Sequence, residues 1–222
     1  IWFATYGAGP PVILLHGGNG SSDLWGDQAP ALVADHHRVI LIDSRGHGRS
    51  TRDARPLGYE QMEGDVIAVM DALSLDKAQV VGWSDGAIIG LIMAMKHPDR
   101  VSDVLAFGAN MDLKAFNLSG LYAGILGKVE ARLAADYRRL SKTPDDYQAF
   151  SKAVFAMQSS QPNYSPKDLA AIRGPRIEIV DGDHEEFISR AHTDYLARTI
   201  PGAKLVILPG VSHFAPVQNP TA

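Results

Sequence analysis

The sequence predicts an α/β protein, a doubly wound and mostly parallel sheet carrying a small helical insertion. Three observations lead there. Short apolar, β-branched runs recur along the chain. Helical stretches separate them at the spacing of strand–helix–strand units. The alternation breaks once, between about residues 110 and 173, where helical periodicity replaces any convincing strand.

The runs at 12–15, 38–42 and 79–81 show no polar alternation, the pattern of strands buried on both faces of a parallel sheet. Between them, residues 59–75 place Met62, Val66, Val69, Met70 and Leu73 on one 3.6-residue stripe. Residues 87–95 are apolar almost all round and predict a buried helix. A strand through Val101, Val104, Leu105 and Phe107 follows, and the tail resumes with strand 176–180, helix 188–199 and strand 204–208. Residues 1–109 and 174–222 therefore form the core, with 110–173 laid over the sheet. Inside the insertion, Val129, Leu133, Tyr137 and Leu140 make one helical stripe, and Tyr147, Phe150, Val154 and Met157 another. Thr143 is expected to cap the second helix, with Pro144 in its first position and Asp146 closing a capping-box-like turn. The glycines at 120, 124 and 127 mark a flexible connection over 117–128.

Composition narrows the function. A chain of 222 residues buries roughly 70–75% of its unfolded surface, enough for a core without staples. With no cysteine, a disulfide scaffold, a thiolate metal site and a cysteine nucleophile are excluded. The 21 basic and 25 acidic side chains give a net charge of −4 without long like-charge runs, so no nucleic-acid partner is expected. The longest apolar stretch, 87–95, is about half a membrane span, and the first residues lack the marks of a signal peptide. The expectation is a soluble, cytoplasmic globular protein.

Chemistry concentrates in three places. Gly82-Trp83-Ser84-Asp85-Gly86 is a G-x-S-x-G directly after a strand and before a helix. There the serine must occupy a tight, strained turn with its hydroxyl above the sheet. A serine needs a base. Of eight histidines, His213 follows the strand ending at Leu208, at the sheet edge where doubly wound folds gather active residues. His16 ends a strand too, but its neighbours Gly17-Gly18 suggest that it packs under a turn. The base needs a carboxylate to orient it, and strand 176–180 opens into the acidic loop Asp181-Gly182-Asp183-His184-Glu185-Glu186. That cluster lacks the spacing and glycine of an EF-hand, so no metal is assigned. Backbone donors for an oxyanion are expected at Gly18, in His16-Gly17-Gly18-Asn19-Gly20, and at Asp85, beside the nucleophile. The same glycine loop raises a dinucleotide site, with Gly18, Gly20 and the acid Asp43 in place. The third glycine position holds Asp23, whose charge would repel a pyrophosphate, and no Walker lysine follows.

Together these residues resemble the α/β-hydrolase superfamily along nearly the whole chain. The resemblance runs through His16-Gly17-Gly18, the D-x-R-G-x-G-x-S run Asp43 to Ser50, Gly82 to Gly86, a Gly-x-x-acid loop at Gly182 to Glu185, and Ser212-His213-Phe214. It implies Ser84 as nucleophile, His213 as base, Gly18 and Asp85 as oxyanion hole, and 110–173 as a helical cap. The family usually has aspartate where Glu185 stands. Glu185 is preferred as the acid, Asp183 is the alternative if the loop is offset by two, and Asp112 a third placement. Serine at 84 argues against a dehalogenase, whose nucleophile is a carboxylate. The implied activity is cofactor-free hydrolysis of a small ester, thioester or lactone through an acyl-enzyme, as in esterases and enol-lactonases. A ligand-binding or signalling protein with little turnover is the alternative. Trp83, Met111, Phe116, Leu121, Tyr122, Phe155 and Met157 could line an apolar acyl pocket beneath the cap, although for each taken singly ordinary core packing is the stronger reading. Against the same pattern, the chain opens inside what would be a second strand and stops nine residues after His213, where a final helix would follow. Trimmed ends with exposed apolar surface are the expectation.

Overall fold

The computed structural model describes residues 1–117 and 124–220, with 124–126 described by their backbone alone. Seven strands form one sheet: β1 (Trp2–Tyr6), β2 (Pro11–Leu15), β3 (Arg38–Asp43), β4 (Ala78–Trp83), β5 (Val101–Phe107), β6 (Arg176–Gly182) and β7 (Lys204–Leu208). Their order is β1-β3-β2-β4-β5-β6-β7. Only β1 runs antiparallel, pairing with β3; the other neighbours are parallel.

The two-residue period of a strand explains the two cores. Ile13 and Leu15 of β2 face one buried cluster, Val12 and Leu14 the other. On the first face lie α2 (Tyr59–Ala72) and α3 (Asp85–Lys96), and α3 rests on β4 and β5. Every residue of α3 from Asp85 to Ala94 is buried, which accounts for its all-round apolar sequence. Each fully buried Ile or Leu there contributes about 1.5–3 kcal/mol. The second face is covered by a 3-10 turn (Ser22–Trp25), α1 (Gln28–Ala34) and residues near the C-terminal end, among them Phe214 and Ala215.

Between β5 and β6 the described residues hold three helices, α4 (Gly124–Leu140), α5 (Tyr147–Gln158) and the short α6 (Pro166–Ala170). Tyr137 of α4 stacks on Phe150 of α5 with ring centroids 4.7 Å apart, so the two apolar stripes meet each other. One correction concerns the start of α5. Residues Pro144–Asp146 form a separate 3-10 turn, Asp146 precedes α5, and Thr143 makes no capping hydrogen bond. Its hydroxyl instead lies 3.1 Å from Tyr137 Oη, a tertiary contact that local capping rules do not contain. The capping box occurs elsewhere, at Ser165 with Asp168 before α6. The chain ends with α7 (Arg190–Thr199), β7 and α8 (Ala215–Gln218). On the edge strand β7, Leu205 and Val206 are 38% and 37% exposed. Among the described residues, no helix is long and apolar enough to cross a membrane.

Candidate active site

The turn from β4 into α3 puts Ser84 at φ 55°, ψ −117°, a conformation costing about 1–3 kcal/mol for a residue with a side chain. The surroundings enforce it. Ser84 N–H donates to Phe107 O at 2.8 Å, while its carbonyl accepts from the amides of Ala87 and Ile88. A Cβ on Gly82 would lie 2.3 Å from Gly86 O, and one on Gly86 2.1 Å from Leu15 O. Both flanking glycines are therefore dictated by backbone proximity.

His213 lies in the loop after β7 and is buried. Its carbonyl accepts from Trp83 Nε1 at 2.7 Å and its N–H donates to Glu186 Oε2 at 3.0 Å. Gly108, at φ +63°, passes so close that a Cβ there would sit 2.7 Å from His213 Cε1. Nδ1 of His213 is 2.8 Å from Glu185 Oε2. The other oxygen, Oε1, accepts from the amides of Phe187 (2.8 Å) and Ile188 (3.0 Å). Burial disfavours the charged imidazole, but the charge and hydrogen bond of Glu185, with Asp181 and Glu186 nearby, prevail and raise its pKa. Burial likewise opposes the Glu185 anion, and here His213 together with the donors prevails and holds it low, at about 2.

The two alternative acids point elsewhere. Asp183 is exposed and accepts from Gly210 N–H at 2.8 Å. Asp112 accepts from Lys114 N–H at 2.7 Å, capping the short turn Leu113–Ala115. Of the three, Glu185 is the one whose carboxylate meets His213. Asp181, grouped in the sequence only with the acidic loop, is a fully buried carboxyl behind Glu185; its place directly after the apolar pair Ile179-Val180 was the available signal.

Gly18 faces the elbow. A Cβ on it would come within 2.4 Å of Gln158 Nε2 and 2.8 Å of Asp85 Oδ2. The Asp85 amide opens α3, where helix N–H groups lack intrahelical partners. The Asp85 side chain is buried and accepts from Tyr59 Oη (2.8 Å) and from Gln158 Nε2 (3.1 and 3.2 Å). Burial outweighs these donors and raises its pKa. Gln158, from the end of α5, thereby ties the insertion to the elbow.

The D-x-R-G-x-G-x-S run serves the framework. Asp43 is fully buried; Oδ1 accepts from Ser22 N and Oγ, and Oδ2 from Arg49 N and Nη1. Asp23, in the position that spoiled a dinucleotide fingerprint, pairs with Arg49 at 2.7 Å and with Arg139 of α4 at 2.8 Å. His16 packs under its turn, with Nε2 accepting from Ser44 N–H at 3.0 Å. Burial holds it and His47 largely neutral, His47 down to about 3.

Ser84, His213, Gly18 and Asp85 share the wall of one cavity of about 770 Å³, within the range of small-molecule sites. The Ser84 hydroxyl makes no hydrogen bond to His213 among the described residues, a spacing common before substrate binds. Trp83, Phe116 and Phe155 line the cavity, as do Asn19, Asn110, Gln148 and Gln158. One expectation is corrected: Met111 is absent from the lining and belongs, with Met157, to the main hydrophobic cluster. Leu121 and Tyr122 lie outside the described residues. Among the described residues, no group of three or more histidine or acidic side chains is arranged to hold a metal ion.

With that geometry established, similarity adds context. A family model described as the alpha/beta hydrolase fold matches residues 10–123. A protein of Caulobacter sp. strain K31 named carbamate hydrolase RutD is 42% identical over 239 aligned residues, covering 95% of this chain and 86% of that protein. The protein of the same name from Azorhizobium caulinodans is 40% identical over 101 residues, 46% of this chain; there the chain spans only 38% of the relative's length. Among solved structures, Est816, titled an N-acyl homoserine lactone degrading enzyme, superposes with a TM-score of 0.77 at 27% identity. That match covers 99% of this chain and 92% of the other.

Proposed function

Since the chain belongs to the alpha/beta hydrolase fold family, we propose that it is a serine hydrolase acting on a small ester, thioester or lactone, with Ser84, His213 and Glu185 as its triad. One observation carries the reading. The strained Ser84 shares a cavity with His213, whose Nδ1 lies 2.8 Å from a buried, anionic Glu185. In the first half-reaction Ser84 Oγ attacks the acyl carbon while His213 Nε2 takes the hydroxyl proton. Glu185 stabilises the imidazolium that results. The tetrahedral oxyanion is received by the amides of Gly18 and Asp85, and losing one such donor costs about 3–4 kcal/mol in the barrier. His213 then returns its proton to the leaving oxygen or sulfur, which departs and leaves the acyl group on Ser84. Water repeats the sequence in reverse, yielding the acid and free serine. The chemistry needs no cofactor, and the insertion of residues 110–173 acts as a cap over the acyl site.

The apolar wall of Trp83, Phe116 and Phe155 suits a short acyl chain, and the amide side chains suit a polar leaving or head group. Carbamate, the substrate class in the name shared by the relatives above, differs from an ester only at the atom beside the carbonyl and belongs in the same test. We expect a fluorophosphonate probe to label the protein at Ser84, Ser84→Ala to abolish labelling, and short p-nitrophenyl esters or lactones to turn over. Labelling without turnover of any ester, lactone or carbamate would replace the hydrolase with a ligand-binding protein. Absence of labelling would overturn the serine nucleophile itself.

A further inference from the structure

Three carboxyl groups surround His213, yet only one touches its imidazole. Glu186 holds the backbone amide, Glu185 holds Nδ1, and Asp181 stands behind Glu185. Asp181 is the next-to-last residue of β6 and is 1% exposed. Its Oδ1 accepts from Gly182 N–H at 3.0 Å and its Oδ2 from the Thr193 hydroxyl of α7 at 2.6 Å. It is also in hydrogen-bond contact with Glu185. No lysine or arginine pairs with it among the described residues.

Two buried carboxyl groups in contact cannot both be ionised at modest cost; they share a proton. The donors decide which one keeps it. Glu185 accepts from His213 Nδ1 and from two backbone amides, whereas Asp181 has one hydroxyl and one amide. The negative charge therefore settles on Glu185. Burial, and then the adjacent Glu185 charge, push the Asp181 carboxyl far above its ordinary range. We propose that Asp181 is a positioning residue: as a neutral acid it donates a hydrogen bond to Glu185 and fixes the carboxylate that orients His213. The need follows from the side chain. Glutamate has one more rotatable bond than aspartate, and its carboxylate must be held to the imidazole by neighbours. A charged neighbour would repel it; a protonated one restrains it.

The proposal rests on the serine-hydrolase reading and has readouts of its own. Asp181→Leu, which cannot donate, should lower kcat by about 10–100-fold with KM little changed, the usual effect of losing an outer partner. Asp181→Asn, whose amide can donate the same bond, should restore most of that loss. The wild type should also lose kcat at alkaline pH as Asp181 ionises and repels Glu185, and Asp181→Asn should lack that limb. Proton NMR of the His213 Nδ1–H reports the same geometry without substrate: its low-field resonance should persist in Asp181→Asn and move or broaden in Asp181→Leu. If the leucine variant does not fold, the pH profile and the resonance of the asparagine variant still decide. An unchanged kcat in Asp181→Leu, an asparagine variant that shows no rescue, or one that keeps the alkaline limb would overturn the role. Failure of the parent reading looks different: Ser84 would not be labelled in the wild type.

Discussion

The floor and the roof of the cavity are built by different rules. The floor consists of the carboxyl ends of β2, β4, β6 and β7 and the loops that follow them. Its side chains are buried and closely bonded: His213 is held at its backbone amide, its carbonyl and Nδ1, and Ser84 is locked by three backbone bonds. The roof, from α4 and α5, contributes side chains that reach water. Phe155 is 60% exposed although it lines the cavity, and Lys152 and Gln148 stand beside it. Gln158 is the link between the two, bonded to the buried Asp85. The difference teaches where each property resides. Bond-making geometry is over-determined by the sheet edge, while the roof offers contacts that can adjust to a ligand.

Two pairs of variants sharpen that contrast, the larger effect first. On the floor, Glu185→Gln should reduce kcat by about 10²–10⁴-fold, because the imidazolium loses its counter-charge and its orientation. Asp183→Asn, two residues away but exposed and bonded to a loop amide, should leave kcat near wild type. Steady-state kinetics on one ester checks both; a collapse in Asp183→Asn alone would reassign the acid. On the roof, Phe155→Ala should raise KM by only about 2–10-fold with kcat retained, since a half-exposed aromatic contributes roughly 0.5–1.5 kcal/mol of contact. A large fall in kcat there would mean that the roof takes part in chemistry and would dissolve the distinction.

How far the sequence could be read follows the same division. Sheet strands announce themselves because burial on both faces leaves uninterrupted apolar runs, as at 12–15 and 38–42. The elbow was readable because two glycines flank a serine at a strand–helix junction, and backbone contacts of 2.1–2.3 Å to any added Cβ permit nothing else. The choice between Asp183 and Glu185 was harder, for it depends on how the loop folds back: Asp183 N–H bonds Leu208 O and His184 N–H bonds Val211 O, pairings that no local pattern encodes. Asp181 was hidden for a similar reason. Its burial depends on Thr193, 12 residues on. In the insertion, apolar character shows that a side chain is covered but not by what, so Met111 and Met157 went to the core and Phe155 to the cavity.

The central claim is a covalent intermediate on Ser84. Intact-protein mass spectrometry after rapid acid quench with a slowly deacylating activated ester or carbamate tests it most directly. A mass increase of one acyl group is expected, mapped by peptide digestion to the segment holding Ser84 and absent in Ser84→Ala. Steady turnover with no acylated Ser84 at any quench time, and undiminished in Ser84→Ala, would contradict it.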